Sequence, residues 1–147
     1  DIFLQVDQKT SNDMLPLLKL LPHVMQLLHE LHKCGVTIML ATTDITSRAR
    51  IAMKALGIEY FFSEIIGGDA VKLTKPYPDL ALTVIKRCGV DKRKSVVIGD
   101  HPVDIQMGVS AETGYNIGVL TGLSDIISFD KLDCFVVDNL KSIQVGC

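Results

Sequence analysis

The sequence SVVIGDHPVD, at residues 95–104, is the most informative part of the chain. Its first half is a short apolar run that stops at Gly99, as a buried strand does at its end. Its second half places two carboxylates, Asp100 and Asp104, four residues apart. Open α/β sheets bind their ligands at the carboxyl ends of buried strands. Because neighbouring carboxylates repel each other, the pair also predicts a nearby cation or lysine.

Apolar strands alternate with helical patterns on both sides of this stretch. The runs VTIMLA, at 36–41, and NIGVL, at 116–120, are almost entirely apolar, as are strands that a parallel sheet buries on both faces. Apolar residues recur at helical spacing around them, at 24–31, 45–56 and 79–88. The alternation predicts right-handed βαβ units, and therefore a three-layer α/β/α domain with a parallel, Rossmann-like sheet.

Length and composition exclude several classes of protein. A chain of 147 residues, of which 48% are hydrophobic, is long enough for one domain with a core and too apolar to be disordered. A net charge of −2 argues against a nucleic-acid partner. No apolar run approaches the roughly 20 residues that a membrane span needs. Four cysteines without a C-x-x-C pair are predicted to be free thiols, which favours a reducing compartment, the cytoplasm.

Two threonines and a lysine add candidates for a binding site. Thr42 and Thr43 directly follow the strand predicted at 36–41, where hydroxyl and backbone N–H groups can bind an anion. The alternative is that this turn only caps the next helix. Lys75 precedes Pro76, which stiffens the backbone and would hold the charge in place; the alternative is an ordinary solvated lysine. For the two aspartates, the alternative is a helix cap and a surface carboxylate.

Taken together, these residues resemble the motifs of the haloacid dehalogenase-like (HAD) hydrolase superfamily. Thr42 at the end of its strand is similar to the second motif of that family. KPYPD, at 75–79, matches the third motif, K-P-x-P-D, and GDHPVDI, at 99–105, matches the fourth, G-D-x-x-x-D-I. The resemblance covers roughly residues 21–140 and is closest to the branch typified by phosphoglycolate phosphatase and β-phosphoglucomutase.

The resemblance implies a role for each of these side chains. Thr42, with Thr43 beside it, would bind the phosphoryl group, and Lys75 would neutralise phosphate and nucleophile. Asp100 would ligate Mg²⁺, while Asp104 would support that metal shell or orient the lysine. The implied activity is that of a Mg²⁺-dependent phosphatase, which hydrolyses a small phosphorylated metabolite through an aspartyl-phosphate.

The first motif of the family, D-x-D-x-T, carries its nucleophile and general acid/base, and it is not recognisable in the chain. Asp7, after the apolar run at 2–6, is a candidate nucleophile, but Lys9 stands where the acid/base carboxylate belongs. We therefore interpret residues 1–20 as a lead-in or cap remnant. Residues 21–147 are interpreted as a HAD-like core domain that lacks its N-terminal strand and cap.

A non-catalytic function is the alternative interpretation. A truncated relative or pseudoenzyme would bind metal and anion without the catalytic aspartates. The strand edges that a missing strand exposes would leave self-association open, because unpaired edges pair with other chains. Neither interpretation gives the chain a nucleic-acid or membrane partner.

Overall fold

The computed structural model describes residues 15–147 of the chain. In this part the chain forms five β-strands and four α-helices, and short 3₁₀ turns connect several of them. The strands are β1 (Ile38–Ala41), β2 (Phe62–Ile66), β3 (Val96–Gly99), β4 (Tyr115–Val119) and β5 (Phe135–Val137). The helices are α1 (Val24–Lys33), α2 (Thr46–Ala55), α3 (Asp79–Cys88) and α4 (Pro102–Ser110).

The pairing of the described strands is parallel throughout, which confirms the predicted parallel α/β fold. β1 pairs with β2, while β3 pairs with β4, which in turn pairs with β5. At the carboxyl ends, Ala41 faces Ile66 in one sheet and Gly99 faces Gly118 in the other. The sheet is divided in two within residues 15–147, because β1 and β3 do not pair with each other.

The alternation of side chains along β2 explains why helices cover both faces of the sheet. Successive residues of a strand point to opposite faces, so Ile65 and Ile66, only 1% and 0% exposed, enter different cores. The first core contains residues of α1 and α2, among them Leu28, Ala49, Ala52 and Met53. The second contains residues of α3 and α4, among them Leu80, Ala81, Val84 and Met107. Helices on both faces confirm the three-layer architecture.

A gap, here called the inter-sheet slot, separates the two sheets. It is lined on one side by residues 39–41 of β1 and on the other by Ile98 of β3, and it holds two cavities of about 300 and 130 Å³. Leucines of α1 line the larger cavity, and side chains of α3 line the smaller one. Lys75 and Asp104 line both cavities. The self-association that such strand edges permit stays a prediction.

The segment before α1 packs on the first core. Leu18 and Leu20, which fall inside the predicted lead-in, are partly buried against it. Part of the predicted lead-in thus contributes to the core. The predicted domain division at residue 20 stays a prediction. Asp7 and the rest of residues 1–14 lie outside the described residues.

Two of the four cysteines are paired, so the prediction of free thiols is wrong for them. Cys34, at the end of α1, forms a disulfide with Cys147, and their Cα atoms are 5.0 Å apart. The partners are separated by 113 residues, so only the folded chain brings them together. Cys88 and Cys134 are free and half-buried, and burial raises the pKa of both thiols. The predicted cytoplasmic location stays a prediction.

Candidate active site

The larger cavity of the inter-sheet slot collects the side chains that the motifs predict for the site. Thr42 follows β1, Asp100 follows β3, and both line this cavity together with Lys75 and Asp104. Thr42 and Asp100 each follow the carboxyl end of a strand that borders the inter-sheet slot, which is where open α/β sheets bind ligands. Lys75 comes instead from the loop between β2 and α3, and Asp104 from the first turn of α4. Thr43 is exposed and lies outside the lining of the cavity.

The turn between β3 and α4 has its own helix cap. His101 is the N-cap residue, and its Nδ1 accepts a hydrogen bond from the Val103 N–H at 3.3 Å. Asp104 Oδ2 in turn accepts a hydrogen bond from the His101 N–H at 3.1 Å, which completes a capping box. Pro102 fills the first helical position, where a missing N–H has no consequence. The cap is therefore His101, which sequence reasoning did not identify.

Asp104 is buried and binds Lys75 with its other oxygen. The Lys75 Nζ lies 2.7 Å from Asp104 Oδ1, and the two side chains are only 11% and 9% exposed. A buried ion pair of this kind holds its partners strongly, because removing either one leaves an uncompensated charge. The alternatives of a solvated lysine and a surface carboxylate are therefore wrong for Lys75 and Asp104. The peptide bond between Lys75 and Pro76 is cis.

Gly99, the last residue of β3, explains how Asp104 can approach the strand so closely. A Cβ atom at this position would lie 2.3 Å from the Asp104 Cβ and 2.7 Å from its Oδ2. Any side chain at residue 99 would therefore displace the aspartate from its contact with Lys75. The glycine of the fourth motif is required here for space.

The turn between β1 and α2 holds Thr42 in a buried position. Thr42 is 4% exposed, and its Oγ1 accepts a hydrogen bond from the Asp44 N–H at 3.1 Å. Asp44 Oδ1 accepts a hydrogen bond from the Ile45 N–H at 2.7 Å and forms an ion pair with Arg48. The predicted alternative, in which the turn caps the helix, thus holds for Asp44, but Thr42 itself faces the cavity.

A carboxylate from a distant loop completes the N-terminus of α2. Asp69 Oδ1 accepts hydrogen bonds from the Thr46 N–H at 2.7 Å and from the Thr46 Oγ1 at 2.8 Å. Thr46 Oγ1 also accepts a hydrogen bond from the Gly67 N–H at 2.8 Å. The hydrogen bonds from Thr46 lower the pKa of the Asp69 carboxyl below its usual value. The N–H of Thr46, the first residue of α2, and the N–H of Ile45 before it are thereby bonded to carboxylates.

Asp100 is the residue of the cavity that best fits a metal ion. No group of three or more His, Cys, Asp or Glu side chains that could hold a metal occurs within residues 15–147. Both oxygens of Asp104 have partners, Lys75 and the His101 N–H, and Asp100 lines the same cavity. Mg²⁺ is commonly bound by one or two carboxylates, with water and substrate phosphate completing its shell. A single carboxylate such as Asp100 fits this mode of Mg²⁺ binding, and Asp100 is the residue that would hold the ion.

Gly122, in the loop after β4, lies against Asp100. A Cβ atom at Gly122 would lie 2.5 Å from Asp100 Oδ2 and 2.8 Å from its Cγ. Sequence reasoning assigned this glycine no contact with Asp100, because it lies 22 residues beyond the aspartate and carries no side chain. None of the helices within residues 15–147 is both long and apolar enough to cross a membrane.

Comparisons with known proteins agree on one family. The family described as haloacid dehalogenase-like hydrolase matches residues 2–121. Phosphoglycolate phosphatase from Salmonella typhi is 34% identical over 113 residues, which is 72% of this chain and 45% of that protein. The same enzyme from Escherichia coli K12 is 36% identical over 112 residues, or 71% and 44% of the two chains. The chain thus spans less than half the length of these curated relatives.

Solved structures give the same result for the fold. The crystal structure of a candidate β-phosphoglucomutase from Thermotoga maritima superposes with a TM-score of 0.81 at 26% identity, over 90% of this chain and 61% of that one. A hydrolase from Pseudomonas syringae superposes with a TM-score of 0.77 at 27% identity, over 87% and 59% of the two chains.

Proposed function

The chain belongs to the haloacid dehalogenase-like hydrolases, and from this premise we propose that it forms the core of a Mg²⁺-dependent phosphatase for a small phosphorylated metabolite. The observation that carries the proposal is the buried ion pair of Lys75 and Asp104, which lies in one cavity with Thr42 and Asp100. A fixed ammonium group beside a hydroxyl suits the negatively charged oxygens of a phosphoryl group. The phosphoglycolate phosphatases among the relatives support this class of substrate.

Lys75 would offset the charge that develops on the phosphoryl oxygens in the transition state. The ion pair with Asp104 holds its ammonium group at one position, and burial strengthens its field at the reacting group. An ammonium group has three N–H donors, so the contact with Asp104 still allows hydrogen bonds to a phosphoryl oxygen.

Thr42 would donate a hydrogen bond to another phosphoryl oxygen. Its Oγ1 accepts the hydrogen bond from the Asp44 N–H, so the hydroxyl proton is directed elsewhere. We assign this role to Thr42 rather than to Thr43, because Thr43 is exposed and does not line the cavity.

Asp100 would hold the metal, and Asp104 would act on Lys75. Both oxygens of Asp104 have partners, Lys75 and the His101 N–H, which argues against direct metal binding by this carboxylate. When bound, Mg²⁺ would supply positive charge that draws the phosphate toward the carboxylates.

The attacking carboxylate would come from a strand seated in the inter-sheet slot. This assignment is supported by the edges of β1 and β3 that are unpaired within residues 15–147, each strand belonging to a parallel sheet, by the apolar lining of the slot, and by Lys75 among the lining residues. The carboxylate oxygen would bond to phosphorus as the bond to the ester oxygen breaks and that oxygen takes up a proton. Water would then cleave the aspartyl-phosphate, which releases inorganic phosphate and restores the carboxylate. Asp7 stays a candidate nucleophile outside the described residues.

A panel of small phosphate esters, assayed with and without Mg²⁺ on the longest open reading frame that contains this chain, tests the proposal. We expect Mg²⁺-dependent release of phosphate, and Lys75→Met should lower kcat/KM by about 100-fold or more. Lys72→Met is the matched control, because Lys72 is an exposed lysine of the same loop, and it should leave turnover unchanged. Binding of Mg²⁺ and phosphate without turnover of any ester would favour the non-catalytic alternative. Full activity of Lys75→Met would contradict the role of the lysine.

A further inference from the structure

The backbone conformation at residue 122 does not require a glycine. Its φ lies outside the left-handed region, so a residue with a side chain could adopt the same conformation. What excludes a side chain is space, because an added Cβ would have three Asp100 atoms within 3 Å. These atoms are Oδ2 at 2.5 Å, Cγ at 2.8 Å and Cβ at 2.9 Å. The main chain of residue 122 thus packs closely against one side of the Asp100 side chain.

The contacts of Gly118, four residues earlier, are different in kind. A Cβ atom added at Gly118 would meet the ring of Phe129 at 3.0 Å, and Phe129 is a core residue that is 2% exposed. A side chain at residue 118 is therefore excluded by core packing, whereas a side chain at residue 122 is excluded by Asp100, which lines the cavity. The two glycines allow an effect on Asp100 to be separated from an effect on the fold.

We propose that Gly122 is a positioning residue, which holds the Asp100 carboxylate in the orientation that receives Mg²⁺. The inference rests on the proposed function, since it takes Asp100 as the metal ligand. A methyl group at residue 122 would have to push the carboxylate away by roughly 1 Å to reach ordinary van der Waals contact. Mg²⁺ requires nearly ideal octahedral geometry at short distances of about 2.0–2.1 Å, whereas Ca²⁺ accepts longer and more flexible coordination. Displacement of Asp100 should therefore weaken Mg²⁺ binding more than Ca²⁺ binding.

Thermal unfolding of the full chain during titration with Mg²⁺ alone tests the inference without an activity assay. We expect Gly122→Ala to raise the Mg²⁺ concentration at the midpoint of the stabilisation by 10-fold or more, the range seen when groups that orient a ligand are changed. The same variant should change the Ca²⁺ midpoint less. Gly118→Ala, the matched control, should lower Tm without metal and leave the Mg²⁺ midpoint unchanged.

A double-variant cycle gives a second readout that does not depend on metal. If the added methyl group collides with the Asp100 side chain, Gly122→Ala should lower Tm less in an Asp100→Ala background than in the wild type. An equal loss of Tm in both backgrounds would overturn the inference, as would a wild-type Mg²⁺ midpoint in Gly122→Ala.

Asp100→Ala separates a failure of this inference from a failure of the proposed function. If Asp100→Ala keeps the full response to Mg²⁺, the metal role of Asp100 is wrong, and the role of Gly122 is rejected with it. If Asp100→Ala loses the response but Gly122→Ala keeps the wild-type midpoint, only the role of Gly122 is rejected.

Discussion

The turn after β1 and the turn after β3 occupy equivalent places, because each leads from the carboxyl end of a strand into a helix beside the cavity. The N–H groups at the start of that helix find their acceptors within the turn in one case and in a distant loop in the other. The N-terminus of α4 is capped within its own turn by His101 and Asp104, and Asp104 then reaches across to Lys75. The N-terminus of α2 has no side-chain cap from Ile45 and depends in part on Asp69, 23 residues from Thr46.

The two turns differ in whether the residues that cap the helix are close in sequence or distant. In the turn after β3, one oxygen of Asp104 belongs to the helix cap and the other binds Lys75. The same carboxylate therefore contributes to the stability of the helix and to the position of the lysine. The turn after β1 is instead joined by Thr46 to Asp69 and to Gly67 in the loop after β2. Changes in the first turn should therefore affect stability and function together, whereas changes in the second should mainly affect how well two loops are joined.

Asp104→Ala should have the largest effect in this comparison. It leaves Lys75 as a buried charge without its partner and also removes half of the capping box, so the free energy of unfolding should fall by about 3–5 kcal/mol. Urea unfolding measures this loss. In the double variant Lys75→Met/Asp104→Ala the loss should be smaller than in Asp104→Ala alone, because no charge stays buried. Equal losses would mean that the ion pair does not determine the stability of this turn.

Asp69→Ala should have an intermediate effect. It removes the acceptor for two Thr46 donors, and loss of a helix cap costs about 1 kcal/mol. Hydrogen exchange should show faster opening of the first turn of α2, while α4 keeps its protection. Asp91→Ala is the matched control, since Asp91 accepts from the Arg93 N–H in a separate 3₁₀ turn. If both variants change exchange in α2 equally, the link between Asp69 and α2 is not the cause.

The pH dependence of Asp69 should be the smallest effect. Since folding lowers the pKa of this carboxyl, its ionised form stabilises the fold fully above the usual value of 3.8. The stabilisation is lost as pH falls through the lower folded pKa. Asp69→Asn keeps an oxygen acceptor but no charge, so the variant should be slightly less stable than the wild type at pH 7. The difference should vanish in strong acid; a difference that stays constant to low pH would contradict the argument.

Much of the site could be predicted from the sequence, because the relevant signals are local. The apolar runs predict strands, and polar residues at their carboxyl ends must meet at one edge of a parallel sheet. Thr42 and Asp100 line one cavity for this reason, and Asp104 joins them from the first turn of α4. Lys75 also required the resemblance to the family, because a lysine before a proline has no distinctive pattern of its own.

The remaining features depend on contacts between distant parts of the chain. Asp69 is an ordinary loop aspartate in the sequence, and only the pairing of β1 with β2 brings it to Thr46. The sequence assigns Gly122 no role in the site, because the constraint on it comes from Asp100. Thr43 adjoins Thr42 in the chain, but it is exposed, since neighbouring residues at the end of a strand point in different directions.

The disulfide between Cys34 and Cys147 has a consequence for the unfolded chain. It closes a loop across 113 residues of sequence, and all four side chains of the proposed site lie within that loop. In the chain-entropy account, a cross-link over about 100 residues destabilises the unfolded state by about 4.7 kcal/mol, because fewer conformations remain accessible to it. The site is therefore stabilised partly by a bond whose cysteines do not line its cavity, and the free energy of unfolding depends on the oxidation state of the surroundings.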